Sequence, residues 1–180
     1  DCEINAAKRW LAAHAGRYAT GNDTLLGDDL YAQQPFCRQV LRHGFHCLFT
    51  CKPTSHTHLS QWVEALEPGR ALHPAKLKVK GKGNRWEHHH HRWANGVPLT
   101  DSDDALKVNR CEVTITDADG AKLYRNAFIT DWHITQRNVA GLVASGQARW
   151  KIENEHNNVL KHRGYHREHN FGPGKQHLSS

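Results

Sequence analysis

The residues with the clearest chemical potential lie in 149–161, R-W-K-I-E-N-E-H-N-N-V-L-K, and run on into H-R-G-Y-H-R-E-H-N-F-G. On a helix, Arg149 and Glu153 are four apart and share a face. Lys161 lies two turns further on, rotated by about 80° from Glu153 at ~100° per residue. Trp150 and Ile152 flank them with apolar residues. A carboxylate between two cations suits a site that takes both a metal ion and a phosphate. The same spacing also suits an amphipathic helix with ordinary salt bridges.

A second acidic candidate stands at T-L-L-G-D-D-L-Y, residues 24–31. Thr24, Leu25 and Leu26 begin a short buried strand, and sites in α/β sheets gather at the carboxyl ends of strands. Asp28 and Asp29 fall at that place. They also suit the acidic start of a following helix, stabilised by its dipole.

Other elements must hold these groups. Ile4, Ala7, Leu11 and Ala15 recur at near-helical spacing, so 4–18 is expected as a helix, with Gly21 and Asn22 breaking the chain after it. Residues 32–43 read as a helix with Pro35 in its first turn and Gly44 at its end. The mostly apolar F-H-C-L-F-T-C, 45–51, reads as an interior strand that turns Cys47, Phe49 and Cys51 to one side. His46, His56 and His58 lie nearby, but C-x3-C is poor spacing for tetrahedral zinc, and buried free thiols are expected. A short helix at 57–66 follows.

From 70 to about 130 helical periodicity gives way to alternation. A-K-L-K-V-K-G-K, 75–82, puts Lys76, Lys78, Lys80 and Lys82 on one strand face. Such a row can follow a phosphate backbone or protect an edge strand. His88, His89, His90 and His91 are consecutive, so on a strand they point to opposite faces and cannot all ligate one ion; a surface strand is expected. Residues 108–117 and 121–131 read as a hairpin turned by Asp-Gly, without the downstream Glu of a calcium loop. Asp131 could approach the site or begin the next helix, whose apolar positions include Val139, Leu142 and Val143.

The 180 residues carry 24 Lys and Arg against 18 Asp and Glu, a net charge of +6 that favours an anionic partner, nucleic acid first. Five Cys without regular spacing argue against a disulfide framework and suit a reducing cytoplasm. No apolar run approaches the ~20 residues of a membrane span. The chain contains no Met and is expected to be a fragment of a longer protein.

R-W-x-I-E, N-x-L-K, G-Y and E-H-N-F-G, in that order, resemble the last catalytic segment of bacterial insertion-sequence transposases of the DDE class, most closely the IS-four-like branch with its Tyr-Arg-Glu-Lys signature. The family's second catalytic Asp stands three before an aromatic, as Asp28 stands before Tyr31, and its C-K-P segment is matched at Cys51, Lys52 and Pro53. The resemblance implies an α/β fold with an RNase H-like core and an inserted β-rich subdomain. Residues 1–69 would be the first part of the core, 70–130 the insertion, and 131–180 the C-terminal helix carrying the Glu, with its tail. It implies metal-dependent phosphodiester cleavage and strand transfer at transposon ends. Asp28 and Glu153 would be the catalytic carboxylates and metal ligands, with Asp29 in reserve for Asp28, and with Glu155 as the alternative to Glu153 because the Glu-to-Lys spacing departs from the family's by one residue. Mg²⁺ or Mn²⁺ would be the cofactor. Arg149 and Lys161 would bind DNA phosphate, joined by Lys76, Lys78, Lys80 and Lys82, with Tyr165, His166 and His169 lining the same groove. The implied partner is double-stranded DNA, both transposon ends and target, compatible with a homodimer and with a bacterial, nucleoid-associated cytoplasmic location. The family's first Asp lies on a strand upstream of the opening helix, a role Asp1 does not fill, so the chain is expected to hold part of the metal site and to be weak or inactive. The rival expectation is a basic DNA-binding fragment without chemistry.

Overall fold

The computed structural model describes residues 2–18, 21–66 and 69–151. The chain divides into two compact units, Asp1–Gly146 and Gln147–Ser180. Among the described residues the fold is mixed α/β, with four α-helices and one six-stranded mixed sheet.

Helix α1 (Glu3–Tyr18) is rich in Ala, a strong helix former, and buries Leu11 and Ala15 along one stripe. Glu3 in its first turn and Arg17 in its last both suit the helix dipole. Strand β1 (Thr24–Gly27) follows. Helix α2 (Gln34–Arg42) starts two residues later than its periodicity suggests and places Pro35 in its first turn, where no N–H is missed. It buries Phe36, Cys37 and Val40 and stops at Gly44, whose φ of +82° is left-handed. Strand β2 (His46–Thr50) is almost wholly buried, and helix α3 (Thr57–Glu64) packs Leu59 and Val63 inward.

The remaining strands form an antiparallel meander: β3 (His73–Lys80), β4 (Trp86–Pro98), β5 (Lys107–Asp117) and β6 (Lys122–Thr130). The expected hairpin is present, with Gly120 N–H donating to Asp117 O across its turn. Strand order is β1-β2-β6-β5-β4-β3. β1 and β2 pair in parallel, Gly27 opposite Phe49. β6 returns antiparallel onto β2, Leu48 opposite Thr130. The strands of 70–130 therefore continue the sheet that β1 and β2 begin.

The two faces of the sheet carry separate cores. On one, Phe49, Ile129, Ala94, Val97 and Val108 pack under α1, α2 and α3. On the other, Leu48, Phe128, Cys111, Val113 and Trp93 meet Ile134, Val139 and Val143, the last two from helix α4 (Val139–Lys151). Each fully buried Val, Leu, Ile or Phe side chain among them contributes roughly 1.5–3 kcal/mol.

Three expectations need correction. The four histidines do not lie on a surface strand: β4 is interior, between β3 and β5. His91 is only 2% exposed, between Ala75 and Val113 in register. Lys82 is not on the lysine face, because β3 ends at Lys80 and Lys82 falls in a 3-10 turn with Gly83 and Asn84. Asp131 neither begins α4 nor joins the acidic end of β1. It accepts the Cys47 N–H at 2.8 Å and pairs with His46 Nδ1 at 2.5 Å, at the amino end of β2.

Gly27 sets how Asp28 leaves the sheet. A Cβ there would stand 2.7 Å from Phe49 Cδ1 and 3.1 Å from Tyr31 Cβ, and the Phe49 ring is buried and cannot retreat. Gly27→Ala is expected to destabilise the chain by about 1–3 kcal/mol, measured by urea unfolding, whereas Gly120→Ala in the hairpin turn meets no atom and costs only its left-handed backbone.

Candidate functional site

Because β1 and β2 are parallel, their carboxyl ends lie side by side and both chains leave the sheet at the same edge of the fold. Asp28 and Asp29 follow β1; Cys51, Lys52, Ser55 and His56 follow β2. The two aspartates do different work. Asp29 is built into the protein: one carboxylate oxygen accepts the Lys52 N–H at 2.5 Å, and the other accepts the Ser55 hydroxyl. His56 Nε2 stands 3.6 Å from Asp29 Oδ1, too far for a hydrogen bond, and is buried without a partner. Burial holds the His56 imidazole below its ordinary value despite the opposing pull of Asp29. Asp29 thus staples the loop after β2 to the loop after β1.

Asp28 Oδ1 accepts the Leu30 N–H at 2.9 Å, the local turn that Asp favours. Tyr31 donates its hydroxyl to Glu3 at 2.5 Å. Burial, then the Glu3 hydrogen bond and charge, then the charge of Asp28 push the Tyr31 hydroxyl up to about 12. Glu3, Tyr31 and Asp28 therefore form one acidic patch. The helical periodicity of α1 gives no hint of it, since Glu3 looks like an ordinary first-turn acid. Neither aspartate starts a helix; α2 begins at Gln34.

Beyond the cover of α1–α3, the same face of the sheet turns basic. Register places Cys51, Ala127, Glu112 and Arg92 in one row across β2, β6, β5 and β4, counting the Cys51 N–H to Ala127 O bond of 2.8 Å. The next row is Arg125, Thr114, His90 and Lys76; beyond it Thr116, His88 and Lys78 align. Glu112 is buried, and it accepts from Arg92 at 2.8 Å, Arg110 at 3.1 Å and Arg125 at 3.2 Å. Burial alone would raise the Glu112 carboxyl. The Arg125 and Arg92 hydrogen bonds and the Arg110 and Arg92 charges outweigh it and hold the carboxyl below its ordinary value. At the sheet's far end Lys78 Nζ and Lys80 Nζ sit 4.7 and 5.4 Å from the exposed Trp86 ring, within cation–π range.

No family model matches the chain, and no curated protein matches it.

Of the residues picked out by sequence, Asp28 and Asp29 come together at the strand end, and Lys76, Lys78 and Lys80 share one face of edge strand β3. Arg149 lies on α4 in the second unit. Glu153, Glu155, Lys161, Tyr165, His166 and His169 lie outside the described residues. Among the described residues no three His, Cys, Asp or Glu side chains converge as a metal-holding group, and no helix is long and apolar enough to cross a membrane. Cys37, Cys47, Cys51 and Cys111 are buried free thiols; burial pushes Cys51 up to about 12. Sequence reasoning missed Glu112 and its three arginines. The only local signal is the Arg110–Glu112 pair on alternate positions of β5; Arg92 and Arg125 join it only through strand pairing.

Stability should respond to acid in two stages. Burial, aided by the His89 and His90 charges, holds His91 below its ordinary value as burial does His56. Their contribution is full above about 6.5 and is lost as pH falls below it, when the unfolded chain takes up protons first. Glu112, also depressed, contributes above its ordinary 4.5 and fails as pH drops through its lower folded value. Urea midpoints followed from neutral to acid pH are expected to show both losses. Glu112→Gln, which leaves the buried Arg110 without its anion, is expected to cost about 3–5 kcal/mol at neutral pH and to remove the second stage.

Proposed function

We propose that this chain is part of a DDE-class DNA transposase, with an RNase H-like core into which the strands of 70–130 are inserted. Two observations support it: Asp28 follows the carboxyl end of the parallel strand pair β1 and β2, and the same sheet has a face that is basic from Arg92 to Lys80. Duplex DNA lying on that face would bring a phosphodiester toward Asp28.

The donor chemistry fits a hard cation: Asp28 offers a carboxylate whose only hydrogen bond among the described residues is the one from Leu30. Asp28 and Glu153 would hold Mg²⁺ or Mn²⁺, which when bound supplies activation of a water or 3′-hydroxyl and stabilises the leaving oxygen. The chain's own residues do the rest. Asp29 fixes the two loops relative to each other through Lys52 and Ser55. Gly27 lets Asp28 leave the sheet close against Phe49. Arg149 and Lys161 would grip the phosphate beside the scissile bond, the arginine as a fork and the lysine as a point charge. A further carboxylate can reach this place by one simple route. The outer edge of β1 has no strand on it among the described residues. An apolar groove of about 260 Å³, lined by Trp10, Leu11, Leu25, Leu26 and Tyr31, runs beside it. A strand pairing there in parallel would end next to Asp28.

A second reading, a basic DNA-binding fragment without chemistry, is favoured by one specific feature: both carboxylate oxygens of Asp29 are committed within the protein. The two readings separate in a Mn²⁺ titration followed by electron paramagnetic resonance. Asp28→Asn and Glu153→Gln are each expected to abolish Mn²⁺ binding while leaving DNA affinity within about twofold, as expected of residues away from the phosphate grip. Asp29→Asn is expected to keep the metal and lower the melting temperature. Mn²⁺ binding indifferent to both Asp28 and Glu153 would overturn the catalytic reading and leave the binding fragment.

A further inference from the structure

The Glu112 cluster holds more positive charge than the protein neutralises. Three guanidiniums surround one carboxylate, and each gives it a single N–H. Arg110 is buried with Glu112, both side chains at 5% exposure, and its Nε–H is buried with no acceptor. The Arg92 and Arg125 side chains are 43% and 48% exposed. A guanidinium carries five donors in a rigid fork, so after its bond to Glu112 each of these two keeps several for a ligand at the surface. Ion pairing to Glu112 also restrains Arg92 and Arg125 before any ligand arrives. Less side-chain entropy is then lost on binding than for a loose surface lysine.

The place matters as much as the charge. Glu112 lies one strand from Ala127, whose carbonyl accepts the Cys51 N–H, and Cys51 is the first residue past β2. The next residue, Lys52, gives its N–H to Asp29. The cluster is therefore joined by a short run of backbone to the acidic strand end. On its other side the Arg125, Thr114, His90 and Lys76 row leads outward to Lys78 and Lys80.

We propose that Arg92 and Arg125, held by Glu112 over Arg110, form a fixed binding site for one or two phosphodiester groups of duplex DNA, between the lysine edge of β3 and Asp28. This rests on the DNA-acting reading above. The glutamate acts as an organiser, and the buried arginine as a source of charge beneath the two that touch the ligand. The site differs in kind from the lysine row: lysines supply mobile point charges, whereas this pair supplies forks in one orientation.

The test is fluorescence anisotropy of the full chain with a labelled DNA duplex over a range of salt concentrations. Each phosphate contact contributes about 0.9 to the slope of log affinity against log salt. Arg92→Ala with Arg125→Ala is expected to weaken binding at least about tenfold, as for loss of charged hydrogen bonds, and to reduce that slope by about 0.9 for one phosphate or about 1.8 for two. The charge-matched control is Arg137→Ala with Lys107→Ala, exposed positions away from this face; it is expected to change affinity less than about twofold, as for screened distant charges. Circular dichroism verifies folding. Arg92→Gln with Arg125→Gln, which keeps a donor to Glu112, replaces the alanine pair if that pair unfolds. DNA binding that falls no further in the arginine pair than in the control overturns the site and leaves the DNA reading standing. Where the unaltered chain binds no duplex, the DNA reading fails. Phosphorus NMR with inorganic phosphate then decides the site: line broadening that vanishes in the arginine pair keeps it as a phosphate site, and no broadening overturns it.

Discussion

β2 must satisfy two opposite kinds of neighbour, and the fold depends on its doing so. On one side it pairs in parallel with β1, which sets the acidic turn at its carboxyl end. On the other it takes β6 antiparallel, which attaches the whole meander. Only five residues long, β2 has few ladder bonds with which to fix its register. Asp131 supplies the missing constraint. Its carboxylate takes the Cys47 N–H and pairs with His46, whose ring lies 3.8 Å from that of Trp132. Trp132 in turn donates to the Thr24 hydroxyl at 3.0 Å. The amino ends of β1 and β2 and the end of β6 are thereby tied together, and Asp29 does the same for the carboxyl ends. A one-residue slip of β2 would turn Phe49 out of its core and carry Cys51 away from Ala127.

With the register held, the sheet divides its labour by face and by position. Where helices cover it, the face that bears Phe49 and Ile129 is apolar. Where they do not, the same face bears arginine, histidine and lysine. The transition falls at the row of Cys51, Ala127, Glu112 and Arg92, where a buried carboxylate is tolerated because three guanidiniums meet it. Elsewhere in so apolar a setting an ionised glutamate would be strongly unfavourable.

Much of this was legible in the chain. The helical spacing of Ile4, Ala7, Leu11 and Ala15, the Pro35 start, the apolar run of β2 and the Asp-Gly turn each report a local preference, and each element formed. The acidic strand end was legible too, because Asp28 and Asp29 directly follow an apolar strand. The failures have a shared cause: they depend on pairing between distant segments. Asp29 finds Lys52 and Ser55, 23 and 26 positions away, so a local view could not tell its structural role from that of Asp28. Four identical histidines carry no alternation to read, and the burial of His91 between Ala75 and Val113 follows from strand pairing that they do not encode. Arg92 and Arg125 look like scattered surface charges until three strands align them on Glu112. Lys82 lay one glycine past the point where the alternation stopped being a strand.

The two lateral edges of the sheet are unlike, and this has a consequence for self-association. Along β3, eight residues long, Lys76, Lys78 and Lys80 share a face. Two such strands brought together would oppose like charges across the new ladder, which is unfavourable. β1 is four residues long, uncharged and bordered by apolar side chains. Among the described residues, growth of the sheet by added strands is therefore directional: it can proceed outward from β1 and is stopped at β3. The lysine edge denies any such growth the second contact that a fibre requires.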